Sequence, residues 1–248
     1  MERVNFDEQL AFRFQSGRLV PIRHPHLVPP DELVAVEQQK EAFFKNLRSF
    51  LKTGLANDVL LWGARGTGKS ALVKAALTAF ADEGLRLVQV YKAQLEQLSE
   101  LYELVRSSDR KFLLFFDDLS LKSGEDELYL LRSMLEGDLE ERPSNLLVCA
   151  TSNRRLLVAP PEREGFYEEE ERDELFALAE RFGLRLYFPP FGQQEFLAAV
   201  ETHLKALGLE LNPEALNEAL RWASEHGYSG RSAKQFTRFY AGELLTRA

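Results

Sequence analysis

The sequence is poor in the residues that disulfide frameworks and metal centres need. It holds one cysteine and four histidines in 248 residues. Cys149 has no second cysteine to pair with, and it lies inside the apolar run NLLVCAT. A small core residue in a reducing compartment is expected there, not a reactive thiol. His24, His26, His203 and His226 have no Cys or His partner at metal-ligand spacing, so ordinary packing or surface histidines are expected. Long apolar runs are missing too. None approaches the ~20 residues of a membrane span, and the opening MERVNFDEQLAFRF has no apolar secretory core. These absences predict a cytoplasmic chain with no membrane partner. Positive charge is also in deficit. Lys and Arg number 31 against 39 Asp and Glu, a net charge of −8. Indiscriminate nucleic-acid binding needs a basic face, so the overall balance argues against it.

What remains is an ordinary globular composition, 45% hydrophobic and 28% charged, in which short apolar runs alternate with amphipathic segments. Prolines at 21, 25, 29 and 30 predict an extended arm over residues 1–30. A helix is expected from an Asp31 cap to Gly54. DVLLWG (58–63), LRLVQVY (85–91), KFLLFFDD (111–118), NLLVCAT (145–151) and LRLYFPP (184–190) read as buried strands. Segments 69–84, 93–108, 125–141 and 168–183 read as the helices between them. The alternation predicts a three-layer α/β fold with a parallel, five-stranded sheet over 31–190. After Pro190 the strand signals stop, and three helices over 191–248 predict a small all-helical unit. The EEEE run at 168–171 reads as a solvated first helical turn.

One stretch carries a sharper message. GARGTGKS, Gly63 to Ser70, matches G-x-x-x-x-G-K-[ST] and sits between a strand and a helix. Gly63, Gly66 and Gly68 give the backbone freedom to curl, so that the N–H groups of Ala64, Arg65, Gly66, Thr67, Gly68, Lys69 and Ser70 face one point. The helix that follows, entered through Ala71, aims its positive end at the same point. This is a polyphosphate cradle. Lys69 is placed to reach the β- and γ-phosphates, and the Ser70 hydroxyl to bind Mg²⁺. FFDDLS ends a second strand with two carboxylates at the sheet edge where ligands bind. Asp117 would hold Mg²⁺ through water, and Asp118 would orient or deprotonate an attacking water. CATSN ends a third strand in Asn153, an amide able to reach a γ-phosphate. Arg181, in RFGLRLYF, precedes the last strand, and Arg231, in GYSGRSAKQ, stands at the first turn of the last helix. A cation there opposes the helix dipole, which argues for an anionic partner. No guanine-reading N-K-x-D occurs.

In order and spacing these segments resemble an AAA+ ATPase: Walker A, Walker B, a sensor-1 asparagine, an arginine before the last strand and a sensor-2 arginine in a helical lid. The match covers about residues 31–248. The wording LLWGARGTGKS, FFDDLS, ATSNRR and RFGL is similar to a family of uncharacterised prokaryotic AAA+ proteins, defined only as a domain of unknown function. The resemblance implies ATP/ADP and Mg²⁺ as ligands, with the adenine near Leu33, Val34 and Ala35. It implies that Arg181 acts as an arginine finger on ATP in a neighbouring subunit of a ring or arc, a hexamer among the forms, and that Arg231 contacts ATP in its own chain. AAA+ chains usually carry Glu after the Walker B Asp. Asp118 is one methylene shorter, which puts the strength of this base in question. The aromatic–apolar–glycine pore loop of protein-threading members is missing from VYKAQLEQLSEL, although Tyr91 stands there.

Two readings from different classes follow. In the first, the chain hydrolyses ATP across subunit interfaces to remodel an unidentified protein or nucleic-acid partner. In the second, it is a slow-hydrolysing nucleotide-dependent switch. A helicase-loader-like ATPase associated with DNA is a variant of the first. It draws on Arg154 and Arg155 and on Arg231, Lys234 and Arg238, whose i, i+3, i+7 spacing puts them on one helix face, although a nucleotide-facing or solvated stripe is the preferred expectation for that face.

Overall fold

The computed structural model describes residues 4–122, 126–136, 140–153, 158–159 and 177–247, with backbone alone for 121–122, 158–159 and 247. The nucleus is a parallel sheet of the apolar runs: β3 (Val59–Gly63), β4 (Leu85–Gln89), β5 (Lys111–Phe116), β7 (Leu146–Ser152) and β9 (Leu184–Phe188). They lie in the order β4-β5-β7-β3-β9, all parallel. Their unbroken hydrophobicity follows from burial on both faces. Phe112, Leu114 and Phe116 of β5 point into one core layer, and Leu113 and Phe115 into the other. The first layer is closed by α3 (Leu98–Arg106) and α4 (Asp126–Glu136). The second is closed by α1 (Glu37–Thr53), with Phe43, Phe44, Leu47 and Phe50 on its inner stripe, and by α2 (Lys69–Phe80). Gly54 ends α1 with φ 75°, and its N–H donates to Phe50 O at 2.9 Å.

Among the described residues the sheet has seven strands, not the five expected. Residues 1–30 are not an extended arm throughout. Ala11–Gln15 (β1) and Arg18–Pro21 (β2) form a hairpin that joins the sheet, with β1 parallel to β4 and β2 antiparallel to β1 at the edge. The turn is Ser16-Gly17, both at positive φ (52° and 68°), as a two-residue hairpin turn requires. The reason for the strand lies in the alternation AFRFQ: Phe12 and Phe14 are buried in the core while Arg13 and Gln15 are exposed. Irregular backbone precedes the hairpin over residues 4–10 and follows it over residues 22–29.

The first helix also starts later than its sequence suggests. Asp31 lies in a short 3-10 turn, Ala35 has φ 58°, and α1 begins at Glu37. A left-handed alanine breaks the helical path, so Asp31 caps nothing beyond its own turn. The segment after β4 opens as a 3-10 turn (Lys92–Gln97) before α3. β6 (Leu121–Lys122) and β8 (Val158–Ala159) pair as a separate short parallel ribbon. Most of the helix expected over 168–183, with its EEEE run, lies outside the described residues, as do Arg154 and Arg155.

After Pro190 come α5 (Gln193–Ala206), α6 (Pro213–His226) and α7 (Gly230–Arg247). Pro213 opens α6 behind Asn212, whose Oδ1 accepts the Ala215 N–H at 2.8 Å. The three helices share a core of their own around Phe196, Val200, Leu204, Ala219 and Phe236. Val34 and Phe191 pack against it, which ties it to the rest of the chain beside α1.

At the base of β3, Asp58 is buried. Its Oδ2 accepts from Arg142 at 2.7 Å and its Oδ1 accepts the Val148 N–H at 2.9 Å. Asp58→Ala leaves a cation and a buried amide without their acceptor. We expect a loss of about 3 kcal/mol, read as a lower urea midpoint at unchanged slope. A midpoint equal to wild type would show that the pair contributes nothing net.

Candidate functional site

The strand order puts β3 between β7 and β9, so the loop after β3 emerges at the carboxyl edge with a strand end on either side of it. Gly63 turns that loop. Its φ is 133°, and a Cβ there would sit 2.1 Å from Phe188 O, so no side chain fits against β9. Thr67 Oγ1 donates to Ala64 O at 2.8 Å and closes the loop on itself. Lys69, the first residue of α2, is 6% exposed and donates its Nζ to Gly63 O (3.0 Å) and Ala64 O (2.6 Å). Burial pushes this ammonium below its usual range, against the pull of Asp118 and Asp117.

The ends of β5 and β7 meet α2 here. Ser70 Oγ donates to Asp117 Oδ1 at 2.6 Å, and Thr151 Oγ1 donates to the same oxygen at 2.8 Å. Thr151 Oγ1 in turn accepts the Asp118 N–H at 2.8 Å, and Asn153 Nδ2 donates to Asp118 Oδ1 at 2.5 Å. Asp118 has φ 53°, a left-handed conformation that turns the chain sharply between the two carboxylates and sends them in different directions. Asp117 faces α2, and Asp118 faces Asn153. Thr151 organises both, a part its sequence position alone did not announce. The usable signal was its place on the strand between β3 and β5.

These groups line one cavity of about 690 Å³, within the ~300–1,000 Å³ of ligand pockets. Arg65 to Ala71 form its floor, and Asp117, Asp118, Thr151 and Asn153 one side. Gly63 and Ala64 lie behind the floor, where their carbonyls hold Lys69. Of the three residues expected around an adenine, Leu33 and Val34 line the cavity. Ala35 does not, because its left-handed turn brings Val36 round to the wall instead, 3.8 Å from where a Cβ on Gly68 would lie.

Phe191, Ala199 and His203 close the cavity from the helical side, with Arg231 beside the loop. The Gly230 N–H donates to Gly66 O at 2.8 Å, so the start of α7 rests on the loop itself. Ser229 caps α7, accepting the Ser232 N–H at 3.0 Å. Arg181 stands apart. It lies just past helical residues 177–180 and does not line its own chain's cavity. Its guanidinium pairs with Glu136 of α4 and donates to Ala177 O at 2.5 Å. At the other end of the cavity stand Lys234, which shares a helix face with Arg231 as its spacing predicts, and His26, Val28, Glu32 and Lys74, which carry no such signal in the sequence.

A loop of this form at the carboxyl edge of this sheet, under a helical lid, defines a P-loop NTPase fold of the AAA+ type. The chain belongs to the family described as "Protein of unknown function (DUF815)", whose model matches residues 7–244. Among curated proteins no sequence matches it. Its fold is similar to that of the RuvB Holliday junction branch migration motor of Thermotoga maritima. That match has 16% identity, 88% of this chain, 65% of that chain and a TM-score of 0.58. It is similar also to the Aeropyrum pernix ORC1 protein in complex with DNA, with 18% identity, 88% of this chain, 62% of that chain and a TM-score of 0.61. The chain thus spans less than two thirds of the length of either neighbour. Among the described residues no helix is long and apolar enough to cross a membrane.

Proposed function

We propose that the chain is an ATPase of the AAA+ class that binds ATP with Mg²⁺ and hydrolyses it where two copies meet. The observation that carries this reading is the convergence in one cavity of the P-loop, the buried Lys69 and the Ser70–Asp117 contact at 2.6 Å. A hydroxyl and a carboxylate side by side are hard oxygen donors of the kind Mg²⁺ takes. Among the described residues no cluster of three or more His, Cys, Asp or Glu side chains forms a metal cage. Ser70 and Asp117 would therefore share the ion with phosphate and water. When bound, Mg²⁺ supplies charge neutralisation at the β- and γ-oxygens.

The chain's own residues do the rest. The N–H groups from Ala64 to Ser70 and the start of α2 hold the phosphates, and Lys69 exchanges its two carbonyl partners for phosphate oxygens. Leu33, Val34 and Val36 offer an apolar wall to the base. Asp118, kept in place by Asn153 and the Thr151 hydroxyl, orients the attacking water and accepts its proton. Arg231 stabilises charge from the same chain, and Arg181 from a neighbouring copy in a ring or arc.

A second reading has observations in its favour. Asn153 already grips Asp118, and Arg181 is already paired with Glu136. A site held in this way turns over slowly and acts as a switch between ATP and ADP states. The partner being remodelled or signalled to is a protein or a nucleic-acid complex. ATP turnover per subunit, measured against protein concentration with Mg²⁺ present, separates the readings. We expect specific activity to climb as copies associate. A flat profile would overturn catalysis across an interface and favour the switch. Repeating the assay with single- and double-stranded DNA at two salt concentrations tests a DNA-associated role.

A further inference from the structure

The cavity has two ends, and the cations at the second have no task in the chemistry described so far. Lys74 lies on α2 four residues beyond Ser70, one turn and ~6 Å farther along the same face. His26 comes from the irregular stretch before α1, which lies on α2 through the Val28 N–H to Thr78 Oγ1 bond at 3.2 Å. His26 Nδ1 sits 3.5 Å from Lys74 Nζ. His203 arrives on α5 and Lys234 on α7, and all four line the same cavity. Four separate segments thus deliver nitrogen donors to one wall.

We propose that this wall is a second anion site, built by Lys74, Lys234, His26 and His203, which takes a phosphate carried on the ribose of the bound nucleotide. It rests on the nucleotide reading above and extends it to the class of nucleotide. The charge distribution supports it. Among the described residues neither Lys74 nor Lys234 has a carboxylate at ion-pair distance. Among the described residues Glu32 is the one acid at this end of the cavity. Burial, then Lys74 and Lys234, hold His26 below its ordinary range, with Arg238 adding to them and Glu32 opposing. Burial and Lys234 do the same to His203, again with Glu32 opposing. Lys69 answers to a different set, Asp118, Asp117 and Arg65. The charges that act most on Lys69 are thus different from those that act most on His26 and His203.

An adenine and an unmodified ribose do not explain this wall. The base is served by Leu33, Val34 and Val36, and two ammonium groups facing one space repel each other unless an anion joins them. A ribose phosphate is such an anion. Lysines meet phosphate as point charges, and an imidazole beside them donates an N–H and regains its proton as the anion arrives. The chemistry suits a phosphate at either the 2′ or the 3′ position.

Calorimetric titration of the full chain with Mg²⁺ tests this, using ADP, ADP bearing a 2′-phosphate and ADP bearing a 3′-phosphate. At ~0.15 M salt we expect ADP to bind and at least one ribose-phosphorylated form to bind about tenfold tighter or more, as charge-assisted hydrogen bonds allow. The K74Q/K234Q double variant should keep its affinity for ADP within about twofold and lose the gain, since charge-assisted contacts to the added phosphate alone are removed. Retained ADP binding also reports that the variant is folded. If ADP binds and neither added phosphate tightens it, or if the gain survives in the variant, the second anion site is overturned and the nucleotide reading stands. If ADP itself does not bind, the nucleotide reading fails and this site falls with it.

Discussion

Lys69→Ala should leave a folded chain that no longer retains ATP. The ammonium is the buried positive charge on the phosphate side of the cavity, and its two carbonyl partners, Gly63 O and Ala64 O, belong to the loop it serves. Removing it frees those carbonyls to water at the cavity floor, a small cost to the fold. It also deletes two or more charge-assisted bonds to phosphate, at about 1.5–3 kcal/mol each, so affinity should fall by about a hundredfold or more. Equilibrium binding and a thermal melt, run together, check both halves. Binding that survives within a few-fold would mean that the polyphosphate lies elsewhere. A collapsed melting temperature would mean that Lys69 is a structural residue whose carbonyl contacts hold the loop.

Arg181→Ala should do the opposite: bind ATP as wild type does and turn it over about a thousandfold more slowly, the scale of an arginine finger. The side chain does not reach its own cavity, so affinity has no reason to move. Its pair with Glu136 has to open before it can serve a neighbour. Mixing makes the test specific. Lys69→Ala subunits supply Arg181 but bind no ATP, and Arg181→Ala subunits bind ATP but supply no finger. Equimolar mixtures should regain part of the activity that neither has alone. If Arg181→Ala hydrolyses like wild type, the arginine is a structural partner of Glu136 and no more.

The parts of this molecule that were legible in its sequence are those that short-range physics specifies. A run of five apolar residues such as FLLFF at 112–116 has one economical fate in an α/β protein, and the cradle after β3 is written in consecutive residues. The hairpin at Ala11–Pro21 was masked by the prolines that follow it, although Phe12, Phe14 and Ser16-Gly17 carried the pattern. The left-handed backbone at Ala35 and Asp118 could not be read, because alanine disfavours that conformation and aspartate, though it tolerates it better than most residues, adopts it only where its surroundings require it. It is imposed by what surrounds each turn, here Thr151 behind Asp118. The cationic wall was out of reach for a different reason. His26, Lys74, His203 and Lys234 lie far apart in the chain, and only the docking of α5 and α7 over α2 makes them neighbours.

The bond from the Gly230 N–H to Gly66 O has a mechanical meaning. Gly66 is part of the phosphate loop, and Gly230 is the first residue of an 18-residue helix. At 1.5 Å per residue that helix is about 27 Å long, and Ala233, Phe236 and Tyr240 lock it into one core with the two helices before it. The space where it meets the loop is small: a Cβ on Gly66 would lie 3.0 Å from Ser229 Cβ. A rearrangement of the loop around a phosphate would be passed through this contact to the three helices as one body. A label near Leu245, which is 77% exposed at the far end of α7, is where such a movement would be read.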